Sequence, residues 1–400
     1  MIYRWLYNPI LCATVILFTA CNEGRGASRE AVGVQASAFP ASSLRWAKSV
    51  EWQRNGNRIE VTVSRPWKGA REPLRYTLLL PDAGGSAGSA APPSTSSKNS
   101  SLEIHLPVRR IACLASVHVG YLKALNATGT IMAIDAANHI YDPAVRNGIK
   151  AGKIFAAGSG AQLNVERLLA AKPDLVLANA VGISEYQALE RLRRAGIPVL
   201  ITAEWMEDHP LARAEWVRLF GILLGKERAG DSLFKVIETS YLQQAKFARA
   251  RSHKPTILIG GPFRDQWFVS GGRSFMARFL EDAGGDYLWK NDTTAGGVPL
   301  SFETVLTSAR EADLWLYPGD FTNHWNTLGD GSRQDSRFVT FNAFRRGDVY
   351  GNDARRLPDG ANDYWESGNV NPHRMLADLI SIFHGSEDSL FYHRRIPPGL

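Results

Sequence analysis

Nine histidines, 39 acidic residues and three cysteines are the material from which catalysis or metal binding could be built in this chain of 400 residues. Their spacing does not assemble it. There is no HExxH, no GxSxG and no close Cys or His pair at zinc-ligand spacing. A metal-handling enzyme, chelatase-like or hydrolytic, would have to gather separated residues such as His118, His139, Glu204 and His324 around its metal. The richer supply is of aromatic faces and guanidinium groups: Trp205, Trp267, Trp325 and Trp365, with Arg273, Arg355 and Arg356. Such side chains suit the holding of a flat, partly anionic molecule. Each also has a plainer reading, since tryptophans commonly fill cores or lids and arginines commonly sit solvated. His118 reads in two ways as well, as a ligand or as a strand-end imidazole bonded to backbone. No catalytic residue, metal site or resident cofactor is assigned.

Those residues need elements to bring them together. From Leu106 onward short apolar strands alternate with helical segments, the pattern of an α/β fold with mainly parallel sheets. RIACLAS (110–116), GTIMAID (129–135), KIFAAG (153–158), DLVLAN (174–179) and PVLITA (198–203) form one set of strands. TILIGG (256–261), QWFVSGG (266–272), DLWLYP (313–318) and DVYG (348–351) form a second. Between the sets Leu233, Val236, Ile237 and Tyr241 recur at helical spacing, so a helix over 231–250 is expected to join two lobes. Doubly wound sheets bind ligands beyond the carboxyl ends of their strands. Ser116 and His118 follow the first strand there, Trp205 follows PVLITA, Trp267 stands at the start of QWFVSGG and Arg273 follows it. Trp325, Arg355 and Trp365 come from later loops.

Upstream of the lobes the composition changes. Residues 1–20 carry one charge, Arg4, and an apolar run from Leu11 to Ala20. That run is shorter than the roughly 18–20 residues of a membrane span but fits a secretory signal. Phe18-Thr19-Ala20-Cys21 resembles a bacterial lipobox, which makes Cys21 the expected lipidation site. A Gly/Ser/Ala-rich tether over 21–43 follows, then an N-terminal β extension over 44–81, read from RIEVTV and YTLLLP as two strands. Residues 82–105 open on DAGGSAGSAAPPSTSSKNSS and are expected to be a flexible loop. The lobes then occupy 106–230 and 251–400 on either side of the 231–250 helix. Three cysteines exclude a disulfide scaffold, and a charge of +7, reduced to +6 by loss of Arg4, does not indicate nucleic acid.

The lobes echo one another. Asn164-Val165-Glu166-Arg167-Leu168-Leu169 precedes the strand DLVL, and Ser301-Phe302-Glu303-Thr304-Val305-Leu306 precedes DLWL. Each places a capping residue before a helix and an acid in its first turn, where the helix dipole alone would favour one. In their order and spacing, RIACLASVHVGYLKALNATGTIMAID, NVERLLAAKPDLVLANA, LERLRRAGIPVLITAEWMEDHPLARAEWVRLFGILLGKE, WFVSGGRSFMARFLEDAGGDYLW and YWESGNVNPHRMLADLI resemble the class III, or cluster A-2, substrate-binding lipoproteins of ABC importers. The resemblance covers about residues 106–395. It implies two Rossmann-like lobes joined by a single long helix, with a ferric siderophore, haem or cobalamin held between them. It also implies an ABC permease and its ATPase as partners. The exposed glutamate that docks on the permease from each lobe corresponds here to Glu166 and Glu303. The expectation is then a monomeric, non-enzymatic binding protein on the periplasmic face of a bacterial envelope, attached only through its lipid. Its ligand contacts are expected from Ser116, His118, Trp205, Trp267, Arg273, Trp325, Arg355 and Trp365.

Overall fold

The computed structural model describes residues 44–81, 102–264, 266–317, 324–385 and 389–399. The expected signal, Cys21, the tether and most of the 82–105 segment lie outside the described residues. Two five-stranded sheets define two lobes. In the N-lobe the order is Phe155–Ala156, Ile131–Ile134, Ile111–Cys113, Leu175–Asn179, Val199–Thr202, all parallel. In the C-lobe the order is Asp286–Tyr287, Thr256–Ile259, Leu314–Tyr317, Val349–Gly351, Arg394–Arg395, parallel except for the last. Their central strands are buried on both faces, which is why they read as short apolar runs without alternation. Each order reverses once. The reversal falls between Ile111–Cys113 and Leu175–Asn179 in the N-lobe, and between Thr256–Ile259 and Leu314–Tyr317 in the C-lobe. Such switch points open a crevice at the strands' carboxyl ends.

A helix of 23 residues, Glu227–Arg249, connects the lobes and is about 34 Å long at 1.5 Å per residue. It begins a turn before the 231 expected from periodicity. Gly230 would ordinarily weaken a helix there, yet it lies inside this one because Gly221 of the helix Val217–Leu223 crosses it. A Cβ on Gly230 would come within 3.1 Å of the Val217 carbonyl and 3.4 Å of Gly221 Cα. Close backbone approach is what the two glycines provide.

The N-terminal extension has four strands, not two. Val50–Asn55, Arg58–Val63 and Leu74–Leu79 run antiparallel, and Leu102–His105 pairs parallel with the third. That fourth strand occupies the end of the segment expected to be loop, because four residues after a Ser/Gly-rich run give too little pattern to detect. The extension is built into the N-lobe. The Glu215 carboxylate accepts the backbone N–H groups of Arg45, Trp46 and Ala47 at 2.8–3.0 Å. Glu207, also buried, accepts those of Lys48 and Ser49 and the indole N–H of Trp216. Tyr76 Oη takes the Ile201 N–H at 3.1 Å. Buried carboxylates surrounded by donors are tolerated, and here they fasten the incoming chain.

Candidate functional site

At the carboxyl ends of the N-lobe strands one polar network connects three elements. The helix Ser116–Ala124 starts directly after the first strand, so Ser116 and His118 lie in its first turn rather than in a loop. His118 is fully buried, with Nε2 2.9 Å from Thr202 Oγ1. Burial lowers its imidazole to about 3, so the ring is neutral. Its partner is a side chain of the last strand, not backbone. Asn179 Nδ2 donates to Glu204 Oε1 at 2.9 Å, and burial raises the Glu204 carboxyl. Trp205 is half-buried, its carbonyl accepting from Arg213 Nη2 at 2.7 Å. His118 Nδ1, Asn179 Oδ1, Glu204 Oε2 and Trp205 Nε1 are buried and find no hydrogen-bond partner among the described residues. Thr202 and Asn179 escaped the sequence reading. Their only signal was their place as the last polar residue of a strand.

The C-lobe treats its tryptophans differently. Trp267 is 1% exposed, packed on Trp315 at 5.2 Å and Phe341 at 5.6 Å, and its Nε1 donates to the Ile259 carbonyl. Trp325 lies flat on Tyr317 at 3.8 Å and donates to Gln334 Oε1 at 2.7 Å. Both were expected to face a ligand; both are core. Residue type alone cannot separate a buried indole from a cleft indole, because burial is set by the rings packed around it, here Trp315, Phe341 and Tyr317. Trp365, by contrast, is 46% exposed and meets Tyr364 edge-on at 4.8 Å.

Among the arginines, Arg273 is exposed in the turn after its strand. Arg355 is engaged: Nε donates to Asp363 Oδ2 at 2.7 Å, and the guanidinium covers Phe391 at 4.4 Å and Tyr141 of the N-lobe at 5.0 Å. Exposed apolar side chains border the strand ends on both lobes, Val181 and Ile183 on one, Phe263 and Phe268 on the other. Phe263 and Phe268 meet edge-to-face at 6.4 Å on a small antiparallel sheet of Gly261–Phe263, Gln266–Ser270 and Gly297–Leu300.

The lobes meet firmly below this border. A Cβ on Gly120 would stand 2.0 Å from the Glu366 carbonyl, so the helix Ser116–Ala124 and the C-lobe helix Asp363–Ser367 touch backbone to backbone. The buried Glu366 carboxylate accepts the N–H groups of Tyr141 at 2.6 Å and Asp142 at 3.0 Å. Burial, followed by the nearby Asp363 and Asp142 charges, raises it to about 8 against the pull of those N–H groups. Arg146 and Asp359 add an ion pair of 2.7 Å across the same junction.

The four residues a metal-handling enzyme would need do not converge. His118 is bonded to Thr202 and Glu204 to Asn179, His139 Nδ1 pairs with Asp135 at 2.7 Å, and His324 Nδ1 pairs with Asp353 at 2.8 Å. Among the described residues no three His, Cys, Asp or Glu side chains form a metal-binding group. None of the described helices is long and apolar enough to cross a membrane.

The two echoing helices are Val165–Ala171 and Phe302–Ala309. Asn164 Oδ1 caps the first by accepting the Arg167 N–H at 2.9 Å, and Ser301 Oγ caps the second by accepting that of Thr304 at 3.1 Å. Glu166 and Glu303 stand exposed on their first turns.

Two lobes built on largely parallel sheets and joined by one connecting helix are the architecture of a two-lobed periplasmic binding protein. Residues 111–355, more than half of the chain, match the family model for periplasmic binding proteins, and the chain belongs to that family. An uncharacterised lipoprotein of Methanocaldococcus jannaschii is 23% identical over 290 residues, covering 70% of this chain and 66% of that protein. An uncharacterised protein of the same archaeon is 21% identical over 236 residues, covering 58% and 67%. The chain thus spans about two thirds of the length of these curated relatives. A periplasmic heme-binding protein of Pseudomonas aeruginosa superposes with a TM-score of 0.55 at 19% identity, over 73% of this chain and all of that one. A possible iron-binding periplasmic solute-binding protein of Staphylococcus epidermidis gives 0.53 at 18%, over 70% and 99%. The heme-binding protein RhuT of Roseiflexus, in apo form, gives 0.52 at 19%, over 70% and 100%. At these identities the likenesses establish the shared fold.

Proposed function

We propose that this protein is the substrate-binding component of an ABC importer, capturing a ferric siderophore, haem or cobalamin between its lobes and delivering it to the permease. It works outside the cytoplasm, anchored through Cys21, and no catalytic step is involved. The observation that carries the reading is family membership joined to the side chains at the strand ends. Apolar Val181 and Ile183 are exposed beyond the end of an N-lobe strand, where a doubly wound sheet binds its ligand, and Phe263, Phe268, Trp365 and the cationic Arg273 are exposed on the C-lobe. Two fold relatives are described as heme-binding, which directs the first choice of probe. On this reading Trp365 and Trp205 supply the indoles that contact the ligand, Ser116 and Arg273 the polar groups, and Glu166 and Glu303 the permease contacts.

Titration with haem, a ferric siderophore panel and cobalamin tests the reading through tryptophan fluorescence. Binding of one of them is expected to quench emission, and Trp365→Phe to remove most of the change while weakening binding about tenfold, or about 1.4 kcal/mol. A folded protein that responds to none of the three classes overturns the assignment.

A further inference from the structure

The two glutamates read as docking residues do not present the same charge. Glu166 is exposed on its first helical turn, and no ion pair to it exists among the described residues. The guanidinium of its neighbour Arg167 is turned away onto the Phe155 ring, 4.2 Å from the centroid. Glu303, in contrast, has Arg337 Nη1 3.6 Å from its Oε1.

Arg337 is held in place independently of Glu303. Its Nε and Nη2 donate to the Asp335 carboxylate at 3.0 and 2.7 Å, and its guanidinium covers the Phe302 ring at 3.8 Å. The bidentate bond raises the Arg337 pKa and lowers that of Asp335, so both remain charged. Beside them opens a hollow of about 520 Å3, whose walls include Arg264, Gln266, Phe302, Glu303, Gln334 and Arg337. The space is ample for one more long side chain.

We propose that the lobes dock asymmetrically: Glu166 meets a guanidinium of the membrane partner directly, whereas Glu303 is masked by Arg337 and is reached only when a partner arginine enters the hollow and replaces Arg337 on it. This rests on the reading of both glutamates as docking residues. The exchange is chemically even-handed, since one guanidinium–carboxylate contact forms as another breaks, and Asp335 keeps Arg337 paired throughout. A contact between side chains 55% and 76% exposed is weak enough to yield. The unmasked Glu166 then supplies the long-range attraction that sets the association rate, and Glu303 supplies register once the surfaces have met.

Association of the full-length protein with its permease–ATPase complex in nanodiscs, measured at several salt concentrations, tests this. Glu166→Gln should slow association severalfold, and Glu303→Gln should leave the rate within about a factor of two. Arg337→Gln should speed association about threefold and steepen its decline with salt, because it exposes a second carboxylate. In the Glu303→Gln/Arg337→Gln double variant that gain should vanish. Arg337→Gln leaving the rate unchanged, or a gain that persists in the double variant, overturns the asymmetry while leaving the docking reading intact. No response to Glu166→Gln, Glu303→Gln or both together overturns the docking reading, and the asymmetry falls with it. Unchanged thermal melts of each variant secure the comparison.

Discussion

The two lobes share a layered plan but fill it with different material. Around the N-lobe sheet the interior is small and aliphatic, with Ala112, Ala133, Ala178, Val176, Val199 and Ile201 on the strands. Part of the C-lobe interior is a slab of rings, Trp267, Trp315, Trp325, Phe338, Phe341 and Phe344, with centroids 5–6 Å apart. The consequence for function is direct. Where strands and helices approach closely through alanines, the strand ends gather polar side chains such as Asn179, Thr202 and Glu204. Where aromatic rings fill the space, the residues that look best suited to hold a flat ligand are already in contact with one another. Aromatic abundance in a lobe is therefore a poor guide to its ligand, and exposure decides.

Breaking the ring slab is expected to have the largest effect. Trp267→Ala should cost about 3–5 kcal/mol of unfolding free energy, as for other large-to-small core changes, while Trp365→Ala should stay within about 0.5 kcal/mol. Urea denaturation checks both, and a Trp267 variant as stable as the parent would remove the distinction between core and border indoles. Gly120→Ala tests the junction beneath both lobes. With its Cβ 2.0 Å from the Glu366 carbonyl, backbone must shift, at about 1–3 kcal/mol or by parting the lobes. A lower melting temperature or a larger radius in small-angle scattering is expected; neither would mean the contact is looser than the geometry requires.

A further effect concerns pH. Glu366 is raised from 4.5 to about 8, so the folded state holds its proton more tightly than the unfolded state does. Its contribution is fully present below about pH 4.5 and is lost as pH rises through 8. Glu366→Gln removes the titration, although its amide nitrogen cannot accept the second of the two N–H groups and so lowers stability by an amount independent of pH. The melting temperature of the parent relative to the variant should therefore be highest near pH 4.5 and fall by pH 8. Parallel melting curves across that range would show that the carboxyl does not titrate between the two states.

Much of the fold was legible because it is written locally. The double set of apolar strands, the connecting helix and the two capped helices at Asn164 and Ser301 each follow from a few consecutive residues, although QWFVSGG joins a separate antiparallel sheet and not the C-lobe's main one. Less of the site was legible. Ser116, Trp205 and Arg273 follow strand ends with some exposure, and Trp365 is exposed on the helix Asp363–Ser367. His118, Trp267, Trp325 and Arg355 are instead taken up by Thr202, Trp315, Tyr317 and Asp363, partners 84, 48, 8 and 8 residues away. The strand at Leu102–His105 and the carboxylates Glu207 and Glu215 that tie down residues 45–49 gave no pattern either.

The amino-acid sequence by itself determined which segments are strands and helices, their alternation, and therefore a two-lobed α/β architecture. Periodicity and capping depend on near neighbours, and near neighbours are what a sequence displays. The tertiary structure alone decided which tryptophans are core, which acids are buried, and that, among the described residues, Glu303 but not Glu166 is ion-paired to an arginine. Those outcomes depend on distant residues competing for the same space and the same hydrogen bonds, and only the folded chain settles that competition.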